Sequence, residues 1–149
     1  MKGLEDDQKV CCRRGGSCGR TGLSDRASFQ PAAVTAYPTG PFEVRYGNTY
    51  AVGTVTFYGR SVVARFSIRS VSKTDCRFIS VVALNSRGHQ MNDSAYSSSV
   101  KTCDADGTEA VAVPANVAGG ASSVRVILRS YDLLTLAKKD LNSLRVFPS

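Results

Sequence analysis

The stretch that decides the fold runs from Tyr50 to Ser70 and reads YAVGTVTFY, then GR, then SVVARFSIRS. The pair Gly59-Arg60 predicts a two-residue hairpin turn of type II′, in which the first central residue has a positive φ. The flanking segments then fold back on each other as antiparallel strands. Because side chains alternate between faces, one face of this hairpin is wholly apolar and the other mostly polar, as in a half-buried sheet.

The turn also fixes the register of the hairpin. On the apolar face, the predicted cross-strand pairs are Ala51–Ile68, Gly53–Phe66, Val55–Ala64 and Phe57–Val62. On the polar face, they are Tyr50–Arg69, Val52–Ser67, Thr54–Arg65, Thr56–Val63 and Tyr58–Ser61. A slip by one residue would mix the two sets, so the register is strongly specified. Phe66 is expected to cover the space left by the missing side chain of Gly53.

Turn signals and apolar runs place further strands along the chain. The predicted strands are 42–46, 76–85, 109–113, 123–131 and 144–147, with a weak strand near 98–102. The run 76–85 is nearly all apolar, which indicates a central strand covered on both sides. Residues 86–101 form a long polar loop, typical of a binding loop or a mobile one. After Asp132, leucine and alanine spacings of 3 and 4 favour a short helical or irregular connection.

Seven or eight short strands with regular turns predict an all-β fold, a single antiparallel two-sheet β-sandwich. We assign residues 41–149 to this domain and residues 1–40 to a flexible or extended N-terminal arm. Residues 1–28 show neither strand nor helix periodicity. Residues 29–41 contain three prolines, which keep the chain extended. This segment is either a linker lying on the domain or an arm that adds a strand to a partner's sheet edge.

Composition and charge limit the classes of partner. The net charge of +7 divides into +2 from residues 1–40 (six basic, four acidic) and +5 from residues 41–149 (thirteen basic, eight acidic). The longest basic cluster is Arg13-Arg14, too short for a nucleic-acid arm, so nucleic acid is not an expected partner. No apolar run approaches the roughly 18 residues that cross a bilayer, so no membrane span is expected.

Five cysteines in 149 residues indicate an oxidising, extracellular or secreted setting. The first residues lack the apolar core of a signal peptide, so none is predicted. Three explanations stay open: a mature or recombinant form, another export route, or reduced thiols. A disulfide between Cys76 and Cys103 would close a loop of about 28 residues and stabilise the domain by roughly 3–4 kcal/mol.

The remaining cysteines and acidic residues do not form a recognisable metal site. Cys11, Cys12 and Cys18 lack the C-x2-C spacing of zinc sites, and the single histidine, His89, is distant in the sequence. We expect them to cross-link another chain or to stay unpaired. Asp104, Asp106 and Glu109 fail the EF-hand spacing, which would place Thr102 and Val113 at ligand positions. An Asp-Gly hairpin turn at 106–107 explains them instead. No metal or other cofactor is therefore predicted.

No catalytic constellation is visible either. His89 lies in the polar loop beside Asp93, but the chain has no G-x-S-x-G motif, so we expect an exposed histidine. Paired carboxylates at glycosidase spacing, a P-loop and a dinucleotide glycine motif are also missing from the sequence. The protein is therefore predicted not to be an enzyme.

The remaining candidate site is the polar face of the central hairpin. This face carries Tyr50, Thr54, Thr56, Tyr58, Arg65 and Arg69, and Arg125 and Arg129 join it if strand 123–131 lies in the same sheet. Arginine and tyrosine are enriched in binding hot spots, although a merely solvated sheet face has a similar composition.

The sequence therefore favours a secreted, non-catalytic binding or adaptor module. Its expected partner is a protein, including a larger assembly, bound through the sheet face or by strand donation from the arm. Recognition of an acidic glycan or surface polymer is the alternative binding function. A small secreted hydrolase or toxin, or a structural subunit of a particle, are the alternatives from other classes.

Overall fold

The computed structural model describes residues 36–92 and 95–149, which form eight antiparallel β-strands in two four-stranded sheets. The predicted antiparallel β-sandwich is confirmed. The strands are β1 (Thr39–Tyr46), β2 (Thr49–Phe57), β3 (Ser61–Arg69), β4 (Asp75–Leu84), β5 (Tyr96–Ser97), β6 (Asp106–Pro114), β7 (Ser123–Asp132) and β8 (Lys138–Val146). The first sheet has the order β1-β2-β3-β6 and the second β5-β4-β7-β8. The described residues contain no helix, and hence none that could span a membrane.

Most of the predicted arm, including Cys11, Cys12 and Cys18, lies outside the described residues. Within 36–40, Thr39 and Gly40 already belong to β1, which begins three residues before the predicted strand 42–46. The Pro38 carbonyl accepts a hydrogen bond from the Phe57 amide at 2.9 Å. The chain is therefore in contact with β2 before β1 begins.

The hairpin of β2 and β3 has the predicted register at every position from Tyr50–Arg69 to Phe57–Val62. The Tyr58 amide donates to the Ser61 carbonyl at 2.8 Å, which closes the two-residue turn. A Cβ placed on Gly53 would lie 2.6 Å from the Cβ of Phe66, so Phe66 fills the space beside this glycine as expected.

The predicted type II′ turn is wrong, because Gly59 does not have a positive φ. The turn is instead held by the neighbouring connection between β6 and β7. The Ala115 amide donates to the Arg60 carbonyl at 2.8 Å, and Gly120 lies against the carbonyl oxygens of Tyr58 and Gly59. Glycine adopts negative and positive φ with similar ease, so these tertiary contacts decide the turn geometry.

The core lies between the two sheets and consists almost entirely of aliphatic and phenylalanine side chains. The largest fully buried ones include Val55, Val62, Ile79, Val113 and Leu128. Strand alternation brings these side chains to the inner faces, where their burial supplies the main stabilisation of the fold.

Strand β4 is buried on both faces, as predicted for 76–85. Its inner face contributes Ile79 and Val81 to the main core, and its outer face forms a second cluster with Ile127 and Ala95. The connection from β4 to β6 covers this outer face. The Ser98 amide donates to the Ile79 carbonyl at 2.9 Å.

The polar connection predicted for residues 86–101 is attached to β4 at several points. In its described part, the Met91 amide donates to the Ala83 carbonyl at 2.9 Å, and Thr102 exchanges two backbone hydrogen bonds with Arg77 at 2.7 and 2.8 Å. Instead of the weak strand predicted near 98–102, the segment contains the two-residue β5 and an isolated bridge at Thr102. The disulfide between Cys76 and Cys103 is confirmed and attaches this segment to the start of β4.

The turn predicted at Asp106-Gly107 is wrong. Both residues already belong to β6, where they pair with Arg69 and Ile68, and the left-handed residue of the preceding loop is Asp104, with φ 44°. Gly107 is needed for space, because a Cβ there would lie 2.8 Å from the Thr102 hydroxyl oxygen.

The connection from β7 to β8 is the irregular alternative and not the helical one. Strand β8 begins at Lys138, six residues before the predicted strand 144–147. Asp132 caps the turn as an aspartate caps a helix, since its Oδ1 accepts hydrogen bonds from the amides of Leu134 at 2.7 Å and Thr135 at 2.9 Å. Asp132 therefore caps backbone amides as predicted, but it does so in an Asx turn of a hairpin and not at the start of a helix.

Removing the Asp132 carboxylate is expected to lower stability in a pH-dependent way. The backbone hydrogen bonds from Thr135 and Leu134 lower the pKa of Asp132. The resulting stabilisation is therefore present above the usual aspartate range and is lost as the pH falls through the lowered folded-state value. The Tm difference between the wild type and Asp132→Ala should be larger at neutral pH than at about pH 2. A Tm difference that does not change with pH would contradict a stabilising role of the ionised Asp132 carboxylate.

Candidate binding face

The outer face of the first sheet carries a row of polar side chains at the end where β3 finishes. Arg45, Tyr50, Arg69 and Asp106 are neighbours in register across all four strands. Two further rows continue the pattern towards the middle of the sheet. We use the name arginine face for Arg45, Tyr50, Thr54, Arg65, Ser67, Arg69, Asp106 and Thr108 together.

The two arginines of β3 differ from Arg45 in their surroundings. Arg45 forms an ion pair with Glu43, and its guanidinium carbon lies 5.0 Å from the ring centroid of Tyr50. Arg65 and Arg69 are exposed and form no ion pair among the residues that the structure describes. Their guanidinium groups therefore keep their full hydrogen-bonding capacity for a ligand.

Shallow depressions lie beside both arginines. One of about 240 Å³ is lined by Tyr50, Ser67, Arg69 and Thr108, among others. A second of about 410 Å³ adjoins Arg65 and the exposed Val52. Neither resembles the deep apolar cleft that encloses a small molecule. Open depressions lined by arginine, with tyrosine in one and valine in the other, are better suited to the side chains of a macromolecular partner.

The structure brings together four of the predicted site residues and separates the others. Tyr50, Thr54, Arg65 and Arg69 lie on the arginine face. Tyr58 is at the opposite end of β2, where its ring packs against that of Tyr37 in a tilted arrangement with centroids 4.6 Å apart. Thr56 lies between the two groups, half-buried opposite Val63.

Arg125 and Arg129 were predicted to join this face on the condition that strand 123–131 lies in the same sheet, and the structure does not meet that condition. Strand β7 pairs with β4 and β8 in the second sheet. Arg125 is exposed there, and the Arg129 guanidinium forms an ion pair with Asp140 at 2.6 Å. The arginines of this face are therefore confined to β1 and β3, and the predicted extension to strand 123–131 is missing.

Sequence reasoning missed several members of the face. In β1, buried Phe42 and Val44 alternate with exposed Glu43 and Arg45. This alternation in the sequence could have placed Arg45 on the outer face. Thr108 and Asp106 follow from the same alternation in β6, but only once β6 is known to begin at Asp106. Misplacing the turn at 106–107 hid both residues.

The acidic residues and the histidine considered in the sequence do not converge. Glu109 is half-buried, and its Oε1 accepts a hydrogen bond from the Ser99 hydroxyl at 2.9 Å. The His89 amide donates to Asn85 Oδ1 at 3.0 Å in an exposed turn, and Asp93 lies outside the described residues. Within the described ranges, no three histidine, cysteine or acidic side chains are placed to hold a metal ion.

Comparison with known proteins adds no relative: no family model, no curated protein and no solved structure matches this chain. The fold alone defines its class, an all-β protein of eight antiparallel strands in two sheets with one disulfide in the described region.

Proposed function

We propose that this protein is a non-catalytic binding module that captures an acidic protein segment on its arginine face. The observation that supports this proposal is the placement of Arg65 and Arg69, which are exposed, without ion pairs and on the same side of β3. Guanidinium groups bind carboxylates through paired hydrogen bonds. The disulfide is compatible with action outside the cell, and we include an extracellular location in the proposal.

The spacing of the two arginines limits which class of ligand can bind both of them. Residues four apart on a strand are separated by about 13 Å. An extended peptide with carboxylates four residues apart has the same repeat, so it matches both guanidinium groups. Val52 is 44 % exposed between the two rows and offers an apolar contact for an intervening side chain. This combination favours a peptide over a uniformly charged glycan.

Replacing both arginines is expected to weaken binding to an acidic peptide by about tenfold or more, since each charge-assisted hydrogen bond contributes roughly 1.5–3 kcal/mol. The test compares the wild type with the double variant Arg65→Ser/Arg69→Ser. Titration with poly-glutamate gives the Kd, and raising the salt concentration should weaken the wild type more than the variant.

The matched control is Arg60→Ser/Arg87→Ser, which removes the same net charge from two exposed arginines outside the arginine face. This control should retain near wild-type affinity. Equal losses in the two double variants would reject the arginine face in favour of general attraction by net charge. Retention on heparin without affinity for poly-glutamate would replace the protein ligand by an acidic glycan.

A further inference from the structure

The turn between β7 and β8 exposes three large apolar side chains. Leu133 is 49 % exposed, Leu134 90 % and Leu136 63 %. We call these three residues the leucine tip. A single exposed leucine needs no explanation, but three within four positions concentrate exposed apolar surface on one turn.

The leucine tip is rigidly built. The Leu136 amide donates to the Asp132 carbonyl at 2.9 Å, and the Asp132 amide donates to the Ala137 carbonyl at 3.0 Å. The Asp132 carboxylate holds the amides of Leu134 and Thr135 from the inside of the turn. The leucines are therefore presented on a fixed scaffold, which lowers the entropic cost of binding.

Leu136 also occupies an unfavourable backbone conformation. Its φ is 60°, in the left-handed region that glycine adopts without strain. A leucine at this position destabilises the turn relative to glycine and makes its surface more apolar. Strain of this kind is frequent where a side chain has a functional role.

Lysines surround the leucine tip. Lys138 and Lys139 follow the turn directly, and Lys138 pairs with Tyr131, over whose ring the Lys101 ammonium lies at 4.7 Å. Lys73 is on the adjoining loop, since the Leu133 amide donates to the Thr74 carbonyl at 3.3 Å. The rim of the tip is therefore basic.

The acidic residues near this end are mostly engaged elsewhere. Asp75 lies 3.5 Å from the Arg77 guanidinium, and Asp140 pairs with Arg129. Asp132 binds the amides of the turn, while Asp104 and Asp106 line a separate depression together with Arg69 and Val71.

We propose that the leucine tip inserts into the interface of a membrane containing anionic lipids and acts as a reversible anchor. Exposed leucines partition into the boundary between headgroups and acyl chains, and a lysine rim is attracted to anionic headgroups. Three leucine side chains cover much less than the roughly 800 Å² per partner of a stable protein interface. A small apolar tip with a basic rim therefore fits a lipid surface better than a protein groove.

Vesicle co-sedimentation with the full chain tests this anchor. The probe is phosphatidylcholine vesicles containing about 30 % phosphatidylserine, with pure phosphatidylcholine as the comparison. Leu134→Ser should lower the partition coefficient about tenfold. Val117→Ser is the control, because Val117 is also 49 % exposed but lies in the β6–β7 connection at the other end of the sandwich. It should partition like the wild type.

Two further variants separate anchoring from folding. Leu136→Gly should weaken vesicle binding without lowering the Tm, because glycine accepts the left-handed conformation. Lys138→Gln/Lys139→Gln should weaken binding to the phosphatidylserine vesicles by about tenfold and leave the weaker binding to neutral vesicles unchanged. No sedimentation of the wild type with the anionic vesicles would overturn the proposal. Wild-type partition by Leu134→Ser would also overturn it, as would a leucine-dependent dimer without vesicle binding.

Discussion

Replacing both Cys76 and Cys103 with alanine is expected to lower the free energy of unfolding by about 3–4 kcal/mol. The disulfide spans 27 positions of sequence, and removing it restores the conformational entropy of that loop to the unfolded chain. The loop includes all of β4 except Asp75, together with the segment that covers its outer face, and β4 is one of the two inner strands of the second sheet. Urea denaturation of the oxidised wild type and the double variant gives the difference directly.

Reductant separates the effect of the disulfide from that of the two side chains. The wild type with reductant should fall to nearly the stability of Cys76→Ala/Cys103→Ala, and the variant itself should not respond. This comparison also controls for Cys11, Cys12 and Cys18, which are present in both proteins. A loss below about 1 kcal/mol would contradict this entropic role and mean that the unfolded chain keeps the two ends of the loop close together without the disulfide.

The hairpin of β2 and β3 could be predicted to the residue because two independent constraints agree. Alternation between Ala51 and Phe57 identifies the buried face, and the two-residue turn at Gly59-Arg60 fixes the offset between the strands. The turn type could not be predicted in the same way. It depends on Ala115 and Gly120, which approach from a connection distant in sequence.

The assignment of strands to sheets was the main limit on predicting the site. Alternation in β7 correctly separates buried Val124 and Val126 from exposed Arg125. Both sheets of a sandwich bury the same kind of face, however, so the pattern does not distinguish a neighbour of β3 from a neighbour of β4. The arginine face was therefore predicted from its β2 and β3 members, while its β1 and β6 members were missed.

The β7–β8 region shows how an accidental helical period misleads. Leu134, Ala137, Leu141 and Leu144 have spacings of 3, 4 and 3. These residues do not share one face in the structure. Leu141 and Leu144 pack against the core from β8, whereas Leu134 is on the exposed leucine tip. A bulge between Leu128 and Arg129 shifts the register with β8 and further obscures the strand alternation.

Gly53→Ala is expected to destabilise the domain by about 3 kcal/mol, a large effect for one methyl group. Opposite Cβ atoms in a regular antiparallel pair are about 4.5–5.5 Å apart. At Gly53, the added Cβ would meet the backbone oxygen of Arg65 and lie 2.6 Å from the Cβ of Phe66. Both obstacles belong to β3 itself, so a side-chain rotation does not relieve them and the strands must separate.

The separation would reach the arginine face, because the obstructing oxygen belongs to Arg65. Gly53→Ala should therefore weaken poly-glutamate binding as well as stability. Gly59→Ala is the matched control: its added Cβ has no atom within 4 Å and its φ is not positive. It should change the free energy of unfolding by no more than about 0.5 kcal/mol. Equal costs at the two glycines in urea denaturation would mean that β2 and β3 are not closely apposed at Gly53, and a large cost at Gly59 alone would restore the type II′ turn.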